Sequence, residues 1–290
     1  MNDNKQIQPG EVTVVKLGGS IFEQRDTTIT DVIRLQKQSV PLVLIHGGAN
    51  MVTKWLNNNN NKTDFHQGER VTDQSALEMV TAVLGGLVNK EIVASINIGG
   101  GRAVGISGVD GGLIRARPLD DKLGFVGEVT EINPEVVHGL LNDEFIPVIA
   151  TIGSDETGQA YNINADTVAG AIAESLEAEK LVYLTDVEGI YADPERPETL
   201  ISRLRVDEAE ALLREIKAKL EALKDMMALR DYVDEGPIGR RRLPTLREDE
   251  RPEDEEQDEL VDTAGCPTGI VSSRDIVNYL VAQFPETASK

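Results

Sequence analysis

The chain has few of the residues that mark secreted or membrane proteins. Its 290 residues include one cysteine, Cys266, which excludes an internal disulfide and cannot by itself form a thiolate metal cluster. The N-terminus, MNDNKQIQPGE, is polar and lacks the apolar segment of an export signal, and the sequence offers no run of about eighteen apolar residues. We therefore expect a cytoplasmic protein without a membrane span.

Positive charge is also scarce. The chain has 29 Lys and Arg residues against 50 Asp and Glu, which gives a net charge of -21. Such a field repels nucleic acid and anionic membrane surfaces, so we expect neither as a partner. It would also repel an anionic small molecule at long range. Any phosphate site must therefore be built from local cations, backbone N–H groups and metal ions.

Short aliphatic runs alternate with helical spacing through the first two thirds of the chain. The runs predict strands at 12–17, 40–45, 103–107, 147–152 and 180–184, and the spacing predicts helices at 73–96 and 134–143. This alternation is typical of an α/β fold with a doubly wound, mostly parallel open sheet. Residues 124–132 alternate as in an antiparallel ribbon, and the asparagine run 57–61 predicts a surface loop.

The composition changes towards the C-terminus. Residues 207–230 predict one helix with an apolar stripe, which we expect to pack on the protein's own core rather than form a coiled coil. Beyond Gly236 three arginines precede an acidic stretch at 248–262, which predicts a solvated, poorly ordered segment. Residues 273–284 predict a short terminal helix capped by a serine.

Two glycine pairs follow the first two predicted strands. They occur in KLGGS (16–20) and HGG (46–48). Carboxyl ends of parallel strands share one sheet edge, so the two turns together predict an anion cradle of backbone N–H groups beside Lys16. A purely structural turn explains KLGGS equally well when it is taken alone. His46 is better interpreted as a residue that orients its loop by hydrogen bonding than as a general base.

The segment GERVTD (68–73) places Arg70 just before a helix that Thr72 or Asp73 would cap. A guanidinium at such a rigid position can grip a carboxylate with two hydrogen bonds. The alternative for Arg70 is an ion pair at the surface.

Two further polar segments follow. NINAD (162–166) opens an alanine-rich helix, where Asn and Asp are ordinary caps, and LTDVEGIY (184–191) ends a strand in a polar turn of the kind that receives a nucleotide. Taken in order, the five segments resemble the amino acid kinase family and, within it, the acetylglutamate kinases. The resemblance extends over residues 12–213.

The resemblance implies a three-layer αβα sandwich of two lobes. Residues 1–175 would form the lobe with the amino acid and phosphoryl site, 176–235 an incomplete nucleotide-binding lobe, and 236–290 a divergent acidic tail. It also implies that ATP, with Mg²⁺, phosphorylates the side-chain carboxylate of N-acetyl-L-glutamate to an acyl phosphate in arginine biosynthesis. The alternatives are a kinase for carrier-protein-linked aminoadipate and a catalytically weak, regulatory homologue that binds the amino acid.

The resemblance also implies residue roles. Lys16 would stabilise the transferring phosphoryl group, and Asp166 would orient the catalytic lysines. The substrate would be bound by Gly47, Gly48, Arg70 and Asn162. The nucleotide would be bound by Gly18, Gly19, Thr185, Asp186, Gly189 and Tyr191. No residue is predicted as a metal ligand.

This chain departs from the family pattern near its C-terminus. The family's glycine-glycine-methionine segment with a second catalytic lysine is missing from the sequence; Lys224, or alternatively Lys219, lies near the expected distance. A rebuilt active lobe, a binding-only relative and a shifted reading frame would each explain this. Arginine feedback in the family is associated with an N-terminal helix that builds a hexamer. Eleven residues precede the first predicted strand, so we expect a homodimer without strong arginine inhibition.

Overall fold

The computed structural model describes residues 7–18, 27–59, 64–66, 69–185, 189–192, 196–214 and 216. The described residues up to Leu204 form one compact unit, and those from Arg205 belong to a second. The helices of the first unit are α1 (Thr28–Lys37), α2 (Ala49–Asn58), α3 (Gln74–Thr81), α4 (Asn89–Ile98), α5 (Glu135–Asn142) and α6 (Ala165–Ser175). Its strands are β1 (Thr13–Leu17), β2 (Leu42–His46), β3 (Phe65–His66), β4 (Glu69–Arg70), β5 (Ala103–Ser107), β6 (Ile114–Pro118), β7 (Gly127–Ile132), β8 (Ile146–Ala150), β9 (Ile152–Ser154), β10 (Ala160–Asn162), β11 (Lys180–Leu184), β12 (Ile190–Tyr191) and β13 (Leu200–Ile201).

A five-stranded sheet with the order β11-β1-β2-β8-β5 forms the centre, and its neighbouring strands are all parallel. Side chains alternate between the two faces of a strand, and both faces of this sheet are covered. In β1, Val15 and Leu17 pack in one apolar cluster while Val14 packs in the other. The predicted parallel α/β fold is therefore confirmed.

The two clusters give the first unit three layers. One cluster joins the sheet to helices α1 to α4, through residues such as Val32, Leu56 and Ile92. The other joins it to α5 and α6, through Val137, Leu141 and Ile172, and to the smaller sheet. This smaller sheet has the order β10-β9-β6-β7, and β6 and β7 pair antiparallel, so the predicted antiparallel ribbon is confirmed.

The predicted strand 147–152 was wrong at its end, because two strands occupy this stretch. β8 ends at Ala150 in the central sheet, and β9 begins at Ile152 in the smaller one. Thr151 lies between them and is buried. Periodicity cannot separate two buried strands that follow one another with a single intervening residue.

The asparagine run also departs from prediction. Asn57 and Asn58 end helix α2, and Asn59 follows as its C-cap. The helix forms because Val52 and Leu56 bury one face, while the three asparagines stay exposed on the other.

The predicted helix 73–96 is confirmed as a continuous helix, Gln74–Ile98, which Asp73 caps by accepting a hydrogen bond from the N–H of Ala76 (2.8 Å). Its middle, Ala82–Val88, is a π-helical segment. The helix is long enough, and apolar enough with a mean hydropathy of 1.4 over an 18-residue window, to cross a membrane by length and composition. However, its apolar side packs in the core, as in the central helix of a globular domain.

Within the second unit, residues 206–214 are helical, in agreement with the start of the predicted helix 207–230. The remainder of that helix from 217 on, the acidic stretch 248–262 and the terminal helix 273–284 lie outside the described residues. The division into lobes at 175 and 235 stays a prediction.

Candidate active site

A cavity of about 220 Å³ opens at the carboxyl edge of the central sheet. Its walls come from the residues that follow three neighbouring parallel strands: Leu17 ends β1, Gly47 follows β2 and Thr151 follows β8. This edge is where open α/β sheets bind ligands. The cavity is lined by Lys16, Gly47, Gly48, Arg70, Asn162 and Asp166, six of the residues assigned from the sequence.

Lys16 and Asp166 form an ion pair inside this cavity. Lys16 Nζ lies 2.8 Å from Asp166 Oδ1, and the two side chains are 16% and 22% exposed. Asp166 stands in the first turn of α6, and the hydroxyl of Tyr183 on β11 donates to its backbone carbonyl (3.0 Å). Tyr183 is the register partner of Lys16 in the sheet. The pair is thus held by two neighbouring strands and one helix.

The HGG turn brings the start of helix α2 to the cavity. Gly48 is the N-cap of this helix and has a φ of +155°, which an L side chain rarely adopts. A Cβ atom on Gly48 would also lie 2.8 Å from Leu84 Cδ2. Helix α6 starts at the same cavity, so two positive helix ends face it.

Asn164 explains how the second helix end is arranged. Its side chain caps α6 by accepting hydrogen bonds from the N–H groups of Asp166 (2.9 Å) and Thr167 (3.3 Å). The helix-cap interpretation is thus right for Asn164. Asp166, in contrast, directs its carboxylate to Lys16.

His46 holds the HGG turn from behind. It is fully buried, its Nδ1 lies 2.8 Å from the carbonyl oxygen of Gly47, and its Nε2 lies 3.1 Å from Asn89 Nδ2. A carbonyl only accepts, so Nδ1 carries a hydrogen, and the ring is neutral at pH 7 because burial disfavours its charged form. Burial lowers the pKa of His46 to about 4. These contacts agree with the loop-orienting interpretation.

The low pKa of His46 predicts a loss of stability in acid. The unfolded chain binds a proton near pH 6.5, whereas the folded chain does not until about pH 4. As the pH falls through this window, the free energy of unfolding should decrease by about 1.4 kcal/mol per pH unit on account of this group, and about 3 kcal/mol in total. Urea unfolding of the wild type and of His46→Asn from pH 7 to pH 4 measures this, since the variant lacks the contribution. Parallel stability curves would contradict it.

Arg70 is a buried cation at the wall of the cavity. It is 6% exposed, so the surface ion-pair interpretation is wrong. Its Nη2 donates to Thr53 Oγ1 (2.7 Å) and to the carbonyl of Ala49 (3.2 Å), and the guanidinium lies 4.7 Å from the centre of the Phe65 ring. Nη1 is buried and has no hydrogen-bond partner among the described residues.

The environment of Arg70 indicates that an anion belongs beside it. Burial lowers the pKa of its guanidinium from the usual value, because a charged group loses its hydration there. Buried charges are costly unless they are paired and hydrogen-bonded. A bound carboxylate would supply the missing acceptor for Nη1 and the opposite charge.

Two amides and a second acid complete the wall. Asn162 Nδ2 lies 3.5 Å from the buried Thr72 Oγ1, and Asn164 Nδ2 donates to Glu69 Oε1 (3.4 Å). The cavity therefore contains two carboxylates, Glu69 and Asp166, beside its two cations. Because the two carboxylates offset the two cations, the cavity attracts an anion through the N-terminal ends of α2 and α6 and through Nη1 of Arg70.

The residues assigned to the nucleotide do not line this cavity where they are described. Gly18 and Thr185 stand side by side after β1 and β11, and Gly18 donates its N–H to the carbonyl of Leu184 (3.0 Å). Gly189 and Tyr191 belong to the segment around β12, which pairs with β13. Gly19, Asp186 and Lys224 lie outside the described residues.

Several site residues were missed by the sequence analysis. Glu69 and Phe65 line the cavity beside Arg70, and Thr151 lies at its floor after β8. Tyr183 hydrogen-bonds to the backbone of Asp166, and Asn89 hydrogen-bonds to the ring of His46, so both support residues at this edge of the sheet. For Asn89 the sequence offered only its position, as the first polar residue after the apolar run 82–88. Tyr183 had none, because a tyrosine in a strand is unremarkable.

Comparison with known proteins agrees with this geometry. The sequence profile of the amino acid kinase family matches residues 11–231. The chain belongs to this family. It is 47% identical over 208 residues to the acetylglutamate kinase of Synechococcus elongatus, a match that covers 70% of this chain and 69% of the relative. The acetylglutamate kinase of Heliobacterium modesticaldum is 45% identical over 223 residues, 71% and 75% of the two chains.

Solved structures place the fold in the same family. The protein smu.665 of Streptococcus mutans has a TM-score of 0.64 and 27% identity, over 71% of this chain and 84% of its own. The N-acetylglutamate synthase of Neisseria gonorrhoeae, solved with coenzyme A and N-acetylglutamate, has a TM-score of 0.60 and 25% identity, over 71% and 48%. The family and the αβα fold expected from the five sequence segments are confirmed.

Proposed function

We propose that this amino acid kinase phosphorylates the side-chain carboxylate of N-acetyl-L-glutamate with ATP, the reaction named by its acetylglutamate kinase relatives. One observation carries the proposal: the Lys16–Asp166 pair, the HGG turn and the partly unsatisfied Arg70 line a single cavity. The product would be an acyl phosphate, as arginine biosynthesis requires.

The chemistry suits such a site. A carboxylate oxygen attacks the γ-phosphorus of ATP, the bond from that phosphorus to the bridging oxygen breaks, and ADP leaves. The attacking carboxylate carries no proton, so no general base is needed. A neutral His46 is therefore consistent with a structural role. Catalysis then consists of aligning two anions and neutralising the spread negative charge.

Each of the six assigned residues that line the cavity has a part in this scheme. Lys16 stabilises the transferring phosphoryl group, and Asp166 fixes the direction of its side chain through the 2.8 Å ion pair. The N–H groups of Gly47 and Gly48 hold substrate and phosphate at the positive end of α2. Arg70 and Asn162 bind the α-carboxylate and the acetylamino group, where Nη1 of Arg70 lacks an acceptor among the described residues.

The nucleotide would lie at the adjoining edge, after β1 and β11. Its site includes Gly18, Thr185, Gly189 and Tyr191, with Gly19, Asp186 and the catalytic Lys224 as further proposed members. Mg²⁺ neutralises the ATP phosphates when it is bound. The described residues contain no cluster of three or more His, Cys, Asp or Glu side chains that could hold a metal ion.

An ADP-release assay tests the function. The purified full chain should release ADP with N-acetyl-L-glutamate, and hydroxylamine should trap the acyl phosphate as a hydroxamate. Glutamate, aspartate and aminoadipate serve as comparison substrates, the last for the alternative of a carrier-linked aminoadipate kinase. Saturable binding of N-acetyl-L-glutamate without ADP formation would instead identify a regulatory homologue.

The assembly is a separate proposal. A cytoplasmic homodimer that arginine does not strongly inhibit accords with a soluble biosynthetic role. Sedimentation velocity of the full chain, with and without arginine, should give one species of twice the 31.6 kDa chain mass. A hexamer would contradict this.

A further inference from the structure

Asn89 is a buried polar residue that connects three strands behind the HGG turn. It is the first residue of α4 and is fully buried. Its Nδ2 lies 3.1 Å from His46 Nε2, 2.9 Å from the carbonyl of Val148 and 3.3 Å from that of Ile106. These acceptors belong to β2, β8 and β5, three neighbouring strands of the central sheet.

The hydrogen-bond donors and acceptors of this network have one consistent arrangement. Lys90 Nζ donates to Asn89 Oδ1 (2.9 Å) and to the carbonyl of Gly105 (3.0 Å). Because a lysine only donates, the oxygen of the Asn89 amide faces Lys90 and its NH₂ faces the strands. That NH₂ requires His46 Nε2 to accept. The hydrogen of the neutral ring therefore stays on Nδ1, which donates to Gly47.

The contact to Gly47 matters because of peptide geometry. The carbonyl of Gly47 and the N–H of Gly48 belong to one planar, trans peptide unit, so they point in opposite directions. When His46 holds the carbonyl at 2.8 Å, it also sets the direction of the Gly48 N–H. Both glycines line the cavity.

The π-helical segment places Asn89 for this task. In a π-helix the backbone hydrogen bonds join residues five apart, so residues at that spacing lie on one side. Leu84 and Asn89 are five apart; Leu84 packs on Gly48 and Asn89 bonds to His46. An α-helix would turn one of these side chains away.

Space for the amide depends on a glycine of β5. A Cβ atom on Gly105 would lie 1.9 Å from Asn89 Oδ1 and 2.9 Å from Lys90 Nζ. The structure thus contains both the contacts that orient Asn89 and the gap that accommodates it.

We propose that Asn89 is a positioning residue for phosphoryl transfer: by donating to His46 Nε2 it holds the ring as the Nδ1–H tautomer, and so aims the Gly48 N–H into the cavity. The predicted effect of Asn89 on kcat rests on the proposed kinase function. The predicted tautomer of His46 does not, so the two predictions can fail separately.

The test compares Asn89→Ala with Asn97→Ala. Asn97 makes two side-chain hydrogen bonds to the backbone of Ala103 from the same helix, outside the cavity, and serves as the matched control. Asn89→Ala should lower kcat about 10- to 100-fold, as expected for a misplaced group, while Asn97→Ala should leave kcat within about twofold. Equal kcat in the two variants and the wild type would overturn the predicted effect of Asn89 on kcat.

Nitrogen NMR of the imidazole rings supplies a readout that loss of stability alone would not move. The chain has three histidines, His46, His66 and His138, so the His46 signals can be assigned with one His46→Asn spectrum. The wild type should show Nδ1–H and an unprotonated Nε2. Asn89→Ala should give mixed tautomers and easier protonation, whereas Asn97→Ala should match the wild type. An unchanged His46 spectrum in folded Asn89→Ala would overturn the proposal.

A second variant covers the case in which Asn89→Ala does not fold. Asn89→Asp keeps the shape of the side chain but presents an acceptor to Nε2, so His46 should carry a hydrogen there. Gly105→Ala should shift the same signals by displacing the amide. Wild-type spectra from both variants would contradict the assigned role.

Discussion

Replacement of Lys16 by alanine should lower kcat by about 10²- to 10³-fold and leave the fold intact. Loss of one charge-stabilising group at a phosphoryl or acyl transfer site typically has this effect, because the interaction is strongest where charge develops. Lys16 is 16% exposed on its side chain and pairs with Asp166 at 2.8 Å, so it is held in one position before the substrates arrive. Steady-state kinetics with ATP and N-acetyl-L-glutamate measure the loss.

The control for this prediction comes from a neighbouring strand. Lys180 lies on β11 with an exposed side chain that pairs with Glu179 at the surface. Lys180→Ala removes the same charge from the molecule and should leave kcat within about twofold, since exposed ion pairs contribute little. Lys16→Met, which keeps most of the side-chain volume, separates charge from packing. Near-normal turnover in folded Lys16→Ala would remove Lys16 from the mechanism.

Most of the fold could be predicted from the sequence because its strands are short, aliphatic and separated by periodic helices. The strands at 103–107 and 180–184 have the predicted bounds. Features that depend on tertiary packing could not be predicted. The break at Thr151 occurs where the chain passes from the central sheet to the smaller one, and the π-helical segment 82–88 lies in the middle of a long helix; local periodicity carries no signal for either.

The candidate site also has features that could be predicted from the sequence and features that could not. The HGG turn and Lys16 could be placed at one edge because both follow parallel strands, and they share a cavity with Arg70. Burial could not be read from the segment GERVTD, where Arg70 alone resembles a surface residue. Contacts between distant segments, such as Asn89 with His46, arise only once the sheet is assembled.

Replacement of Arg70 should raise the KM for the amino acid substrate about 30- to 4,000-fold and change kcat much less. Truncating one member of a buried, hydrogen-bonded charge pair costs about 2–5 kcal/mol, and each 1.4 kcal/mol is about tenfold in affinity. In the proposed scheme Arg70 binds a part of the substrate that does not react, so its loss should weaken the binding of ground state and transition state alike. Arg70→Lys should recover little of this, since an ammonium group cannot form the two parallel bonds of a guanidinium.

A second arginine, which stacks on an aromatic ring but is exposed at the surface, makes the prediction specific. Arg102 lies 4.4 Å from the centre of the Phe145 ring, much as Arg70 lies 4.7 Å from that of Phe65, but Arg102 does not line the cavity. Arg102→Met should therefore keep the wild-type KM, while Arg70→Met should not. If both variants kept it, the buried guanidinium would serve the fold alone. If Arg70→Met lowered kcat and left KM unchanged, Arg70 would act on the reacting phosphate, and the α-carboxylate would be held by another group.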